Sequence, residues 1–191
     1  MDIRIEPVGA HTVQDFLELF DTRAFSDNAD WAGCYCVFNH FEGDGDAWNA
    51  RTGAQNRAEA ERMIREGTMK GYLAYADGQA VGWCNVNDKR AYPHYADVGE
   101  EGGSRVGAVT CFVIDPAQRR QGVSRALLRR ACADYAAAGY DYMEGYPLDG
   151  EGTCASHYHG HPALYESEGF VLRLRMEDRL CMRKPLKGAG Q

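Results

Sequence analysis

Residues 109–138 read VTCFVIDPAQRRQGVSRALLRRACADYAAA, and the fold turns on how this stretch divides. Val109 to Ile114 is dense in β-branched and aromatic residues, the composition of a buried strand. Asp115-Pro116 stops it, because proline has no amide hydrogen and restricts the residue before it. A basic turn follows, Gln118-Arg119-Arg120-Gln121-Gly122, and then Val123, Leu127, Leu128, Ala131 and Tyr135 recur at helical spacing. Strand, basic glycine turn and helix in that order build an anion site. The first turn of a helix has free N–H groups at the positive end of its dipole, and glycine lets a phosphate approach the backbone. Arg119, Arg120 and Arg125 add full charges beside it.

The chain around this stretch has 191 residues, enough for one domain with a real core, predicted over 1–186 with a short tail at 187–191. Hydrophobic residues make up 45% and charged residues 26%, which is ordinary for a soluble globular protein. The formal net charge of −7 argues against a nucleic-acid partner. It suits a cationic amine, and equally serves solubility. No apolar run approaches the ~20 residues of a membrane helix, and MDIRIEPVG does not read as a secretion signal. Seven cysteines, an odd number with only Cys34 and Cys36 closely spaced, argue against a secreted disulfide framework. The expectation is a reduced, cytoplasmic protein; a homodimer is compatible with this.

Upstream, Ile3 to Val8 reads as an edge strand, and Thr12 opens a helix with Asp15 as an approximate capping box. Val13, Phe16, Leu17 and Phe20 give that helix one buried face. Phe25 to Trp48 is an aromatic-rich segment holding Trp31, Tyr35 and Phe38. Ala54 to Glu66 reads as a surface helix ended by Gly67. Tyr72 to Tyr75 and Ala80 to Val86, the latter containing Trp83, form a hairpin across Asp77-Gly78. Asn87 to Gly107 lacks periodicity and reads as a long lid. Downstream, Gly139 ends the central helix, Tyr142 to Tyr146 is a strand, and Val171–Met176 with Arg179–Met182 is a closing hairpin.

Two segments resemble the GNAT superfamily of N-acetyltransferases. Its Arg/Gln-x-x-Gly-x-Gly/Ala signature is matched by Arg119-Arg120-Gln121-Gly122-Val123-Ser124, with Ser124 where glycine or alanine is usual. Ala163-Leu164-Tyr165-Glu166-Ser167-Glu168-Gly169-Phe170 is similar to its LYExxGF segment. The resemblance implies a mixed, mainly antiparallel α/β sheet of about seven strands with helices on both faces. The strands carrying Ile114 and Glu144 would splay apart to admit acetyl-CoA. Phe112, Val113 and Ile114 would pair with the pantetheine arm, and Arg119, Arg120, Gln121, Gly122, Val123, Ser124 and Arg125 would hold the pyrophosphate. It further implies that Tyr165 protonates the leaving thiolate and that Glu144 is a base, with a pKa raised by burial. Trp31, Tyr35, Phe38 and Trp83 would wall the acceptor pocket, although the aromatic segment reads equally well as a cover over the sheet.

Rival chemistry is weaker. Cys34-x-Cys36 with His157-x-His159-x-His161 offers zinc-type ligands at poor spacing, so no metal is expected. A histidine of the 147–162 insertion, or a water, is the alternative base. The implied activity is acetylation of a primary amine, most simply of a small molecule. Acetylation of a protein N-terminus or lysine, and a non-catalytic acyl-CoA-binding module, are the alternatives.

Overall fold

The structure is a computed structural model that describes residues 2–99, 102–150 and 155–187, the last span with 155 and 156 as backbone. Glu100, Glu101, Cys154 and residues 188–191 of the expected tail lie outside the described residues. Seven strands form one sheet: β1 (Arg4–Pro7), β2 (Gly71–Ala76), β3 (Gln79–Asp88), β4 (Val106–Ile114), β5 (Tyr142–Gly145), β6 (Val171–Arg175) and β7 (Leu180–Pro185). Their order is β1-β2-β3-β4-β5-β7-β6, and every pairing is antiparallel except β4 with β5. This is the sheet the sequence predicts.

Helices cover both faces. Helices α1 (Val13–Thr22) and α3 (Gly53–Glu66) belong to the layer over Leu73, Trp83 and Val113. The opposite face, with Ala74, Val81, Phe112 and Ile114, is covered by α4 (Val123–Ala137). Short helices α2 (Gly45–Asn49) and α5 (Pro162–Ser167) complete the set. The predicted capping box at Thr12 does not form: Thr12 Oγ1 accepts from the Gly9 amide at 3.0 Å, and Asp15 accepts from the Tyr75 hydroxyl at 2.7 Å. A full box forms instead at Thr52 and Gln55, ahead of α3.

Two features of β4 position the site. Asn85 pairs with Cys111 and Val86 with Val109, so Thr110 is the extra residue of a β-bulge. The parallel pairing with β5 ends at Val109↔Gly145, while β4 runs on to Ile114. The predicted divergence of these strands therefore starts at the bulge. A turn of 3₁₀ helix, Ala155–His159, packs alongside β4.

Of the lid expected over Asn87 to Gly107, both ends belong to β3 and β4, and residues 89–98 pack onto the sheet. Tyr92 and Tyr95 are buried with Tyr146 and Cys181, and Tyr95 stacks on Tyr146 at 3.9 Å between centroids. Two large aromatics and the buried Lys89 gain more by covering the sheet than by facing water.

Candidate active site

Alternation along β4 sends its side chains to two cavities on opposite sides of the sheet. Phe112 and Ile114 line one of about 510 Å³, and Cys111 and Val113 line another of about 430 Å³. Tyr158 lines both, and His159 lies on the second.

The first cavity opens over the start of α4. Gly122 is the N-cap in a left-handed conformation, φ 85°, and no side chain caps the helix. The first-turn amides of a 15-residue helix are thus left for a ligand, and only glycine adopts this φ without strain. Arg119, Arg120, Val123, Ser124 and Arg125 complete this wall. The cradle fits a diphosphate group, and the adjoining apolar β4 edge fits an extended arm.

Several expected cofactor residues take other roles here. Arg119 bridges Asp27 and donates from Nε to the Ile114 carbonyl at 3.3 Å, fixing the strand end. Arg125 lies 3.2 Å from the Glu168 carboxylate. The expectations for Gln121 and Val113 concern their backbone, and their side chains turn elsewhere. The Gln121 side chain turns back to donate to the Ala117 carbonyl at 3.1 Å, leaving only its backbone for the cradle. Val113 faces the second cavity, because its neighbours Phe112 and Ile114 take the first.

Tyr165 is fully buried behind this cavity, and its hydroxyl donates to the His159 carbonyl at 2.7 Å. Burial pushes its pKa well above the usual phenol value, so it stays protonated. Gly145 makes room for it: a Cβ there would lie 2.1 Å from the Tyr165 ring.

The second cavity is walled by aromatic residues from the 25–48 segment. Trp31 and Phe38 line it, Trp31 against Tyr158 at 5.2 Å and Phe38 edge-on to Trp48 at 5.1 Å. Tyr35 and Trp83, expected beside them, do not line it. Tyr35 and Cys36 are successive left-handed residues, and the turn sends the Tyr35 ring onto Phe20 with its hydroxyl donating to Asp21 at 2.6 Å. Trp83 is wholly buried under α1, edge-on to Phe16 at 4.9 Å. Both are core residues.

The Nδ1 atom of His159 is buried and has no hydrogen-bond partner among the described residues. Burial, reinforced by the nearby Arg179 charge and opposed by the Thr110 backbone, holds its pKa down at about 3. Cys34, Cys36 and Cys111 also line the cavity. Burial pushes the Cys34 thiol up to about 12 and the Cys36 thiol well above its ordinary value, so both stay protonated at neutral pH. No group of three or more His, Cys, Asp or Glu side chains among the described residues has the geometry to hold a metal.

Glu144 sits apart from both cavities, fully buried. Arg183 reaches its Oε1 from Nε at 2.7 Å and from a terminal nitrogen at 2.6 Å. Lys89 lies 3.2 Å from Oε2, and the Tyr146 hydroxyl donates to the same oxygen at 2.7 Å. Burial alone raises the pKa, as expected from sequence. Tyr146, Lys89 and Arg183 together outweigh it, and the value is lowered. The expectation of a raised pKa is therefore corrected: the cations that pair with Glu144, namely Arg173, Arg183 and Lys89, lie 29, 39 and 55 residues away along the chain.

Sequence reasoning also missed Tyr158, Arg51 and the buried Asn85, which accepts from the Tyr92 hydroxyl at 2.8 Å. An asparagine in mid-strand was the available signal for the last of these. No helix of the described residues is long and apolar enough to cross a membrane.

A profile of the acetyltransferase (GNAT) domain matches residues 69–172, more than half of the chain. Comparison with curated protein sequences gives no significant match. Among solved structures, a GNAT-family acetyltransferase from Listeria monocytogenes is similar at TM-score 0.63 and 11% identity, over 96% of this chain and 94% of that one. The PaiA N-acetyltransferase of Thermoplasma acidophilum, solved in complex with coenzyme A, gives TM-score 0.56 and 13% identity over 97% and 99%. The ribosomal-protein-S18-alanine N-acetyltransferase of Escherichia coli gives 0.53 and 14% over 100% and 97%. At these identities the structures speak for the fold. The matched span runs from β2 through the α4 cradle to Tyr165 and the start of β6, and this chain belongs to the GNAT acetyltransferase family, a family of acyltransferases.

Proposed function

We propose that this protein transfers an acetyl group from acetyl-CoA to a primary amine on a small molecule. The observation that carries this reading is the pair of cavities on either side of the β4 end, sharing the wall made by Tyr158. One has an uncapped helix start for a diphosphate; the other, at about 430 Å³, has the volume of a small-molecule site.

Acetyl-CoA supplies an acetyl group on a thioester, whose carbonyl carbon the amine attacks. The chain's residues then have four tasks. The backbone of Gln121 to Arg125 holds the diphosphate, and Phe112 and Ile114 pack the arm. Trp31, Phe38 and Trp48 wall the acceptor and narrow its orientations. The free Nδ1 of His159 accepts a hydrogen bond from the incoming amine; with a pKa near 3 it orients the amine, and the proton leaves to water. Tyr165 keeps its proton at neutral pH and gives it to the departing sulfur as the C–S bond breaks and the C–N bond forms. Its present acceptor, the His159 carbonyl, is exchanged for the thiolate, and the phenolate left behind takes back from water the proton that the amine gave up.

The test is thiol release from acetyl-CoA across a panel of small amines and of peptides with free N-termini or lysines. Turnover of small amines is the expected result. Turnover confined to peptides would show a protein acetyltransferase, and coenzyme A binding without thiol release from any acceptor would show a non-catalytic module.

A further inference from the structure

An arginine with no ion pair among the described residues lines the acceptor cavity. Most arginines of this acidic chain face a carboxylate: Arg57 with Asp21, Arg62 with Glu59, Arg119 with Asp27 and Arg183 with Glu144 are examples. Arg51 lines the cavity and has no carboxylate within 4 Å among the described residues, although its charge helps to lower the pKa of Glu59. The carboxylate that shares the cavity lining, Asp30, is exposed and does not bridge to it.

Arg51 is nevertheless held in place. Its Nε donates to Asn56 Oδ1 at 2.6 Å, and the buried Asn56 donates from Nδ2 to the Gly33 carbonyl at 2.8 Å. Its guanidinium carbon lies 5.4 Å from the centroid of the Phe41 ring. A side chain with this much rotamer entropy stays mobile unless something fixes it. Here Nε is committed to positioning, and no described residue accepts from the two terminal nitrogens. That leaves the paired N–H edge whose geometry matches a carboxylate.

We infer that the acceptor carries a carboxylate as well as its amine, and that Arg51 binds that carboxylate, with Asn56 as the positioning residue. The inference rests on the acetyl-transfer reading and narrows its substrate class to amino-acid-like amines. A neutral amine leaves the guanidinium desolvated and unpaired in the loaded cavity, which is the penalty that separates the two kinds of acceptor.

The experiment measures kcat/KM by thiol release for amino acids paired with the amines that differ from them only by lacking the carboxylate, such as phenylalanine and phenethylamine. O-phosphoethanolamine against ethanolamine is included as the phosphate pair. Wild-type protein is expected to favour the carboxylated member of its best pair by roughly 10–10²-fold, the range of one charge-assisted contact. Arg51→Ala should bring that ratio to about one, and Arg51→Lys should leave it between the two, with coenzyme A affinity unchanged by titration in all three proteins. Equal kcat/KM within the pairs for wild type, or a preference that survives in Arg51→Ala, overturns the assignment and leaves acetyl transfer standing. A preference seen only in the phosphate pair overturns the carboxylate assignment. Absence of thiol release from every amine, in protein that binds coenzyme A, overturns both readings together.

Discussion

Replacing Glu144 by glutamine separates a structural carboxylate from a catalytic one. Glu144 and Lys89 expose 0% and 1% of their surface, and Arg183 only 8%. Glutamine has nearly the same shape but carries no charge and offers one acceptor oxygen. Whichever way its amide turns, its NH₂ meets Arg183 or the Lys89–Tyr146 side, donor against donor. Breaking a buried ion pair from one side costs about 3–5 kcal/mol, because the partner cations stay buried without compensation. For a chain of this length that corresponds to a melting point lower by roughly 6–20 °C.

The sign in pH follows from the lowered pKa. The unfolded carboxyl titrates near 4.5, and the folded one below it. The stabilisation is thus complete above about pH 4.5 and fades only as the pH falls through the folded value, so the whole loss is present at pH 7. The assay is a melting curve at pH 7 for wild type and Glu144→Gln, beside kcat measured at a temperature where both are folded. The expected outcome is a large fall in melting point with kcat within a few-fold of wild type. An unchanged melting point together with a 10²-fold loss of kcat would refute the structural assignment and restore Glu144 as the base.

Tyr165→Phe should lower kcat by roughly 10–10³-fold with coenzyme A affinity retained, since the ring packing stays and only the hydroxyl goes; a near-normal rate would leave Tyr165 a core aromatic. Gly122→Val should abolish coenzyme A binding by calorimetry in a folded protein, because a β-branched residue resists φ 85° at the head of α4; unchanged affinity would remove the cradle. His40 is partly buried beside Tyr92 and Asn85, and desolvation there holds its pKa down at about 4 against 6.5. Between those values the unfolded chain takes up a proton that the folded chain refuses, so stability should hold above pH 6.5 and fall as pH drops from 6.5 toward 4, by about 1.4 kcal/mol per unit for such a group. A melting temperature flat between pH 6.5 and 5 would contradict it.

What the sequence revealed and what it hid follow from the range of the forces involved. The strand, glycine turn and helix at 109–138 were legible because composition, proline, glycine and helical spacing are local signals, and β4, the turn and α4 fall there. The β2–β3 hairpin was legible for the same reason. Trp83 and Tyr35 were misplaced because an aromatic residue looks alike in sequence whether it walls a cavity or fills a core; which it does depends on α1 and on two left-handed residues. Glu144 was misjudged for a related reason. Burial is visible in its hydrophobic neighbours, while its counter-charges come from Lys89 and Arg183, in other elements.

The bulge at Thr110 shows why a site of this kind escapes pattern reading even when the strand itself does not. Ala108 faces the Tyr92–Tyr146 cluster, and Val109 faces α4. A regular strand would then place Cys111 with α4 and Phe112 opposite. The extra residue reverses this, so Cys111 and Val113 meet the cavity walled by Trp31 and Phe38 while Phe112 and Ile114 meet the one over the start of α4. One inserted residue therefore decides which side chains face which cavity. It also lies at the point where β5 stops pairing with β4, just beyond Val109↔Gly145. The side-chain parity and the opening between the strands share one local cause, and the run Val109-Thr110-Cys111-Phe112-Val113 carries no compositional mark of it.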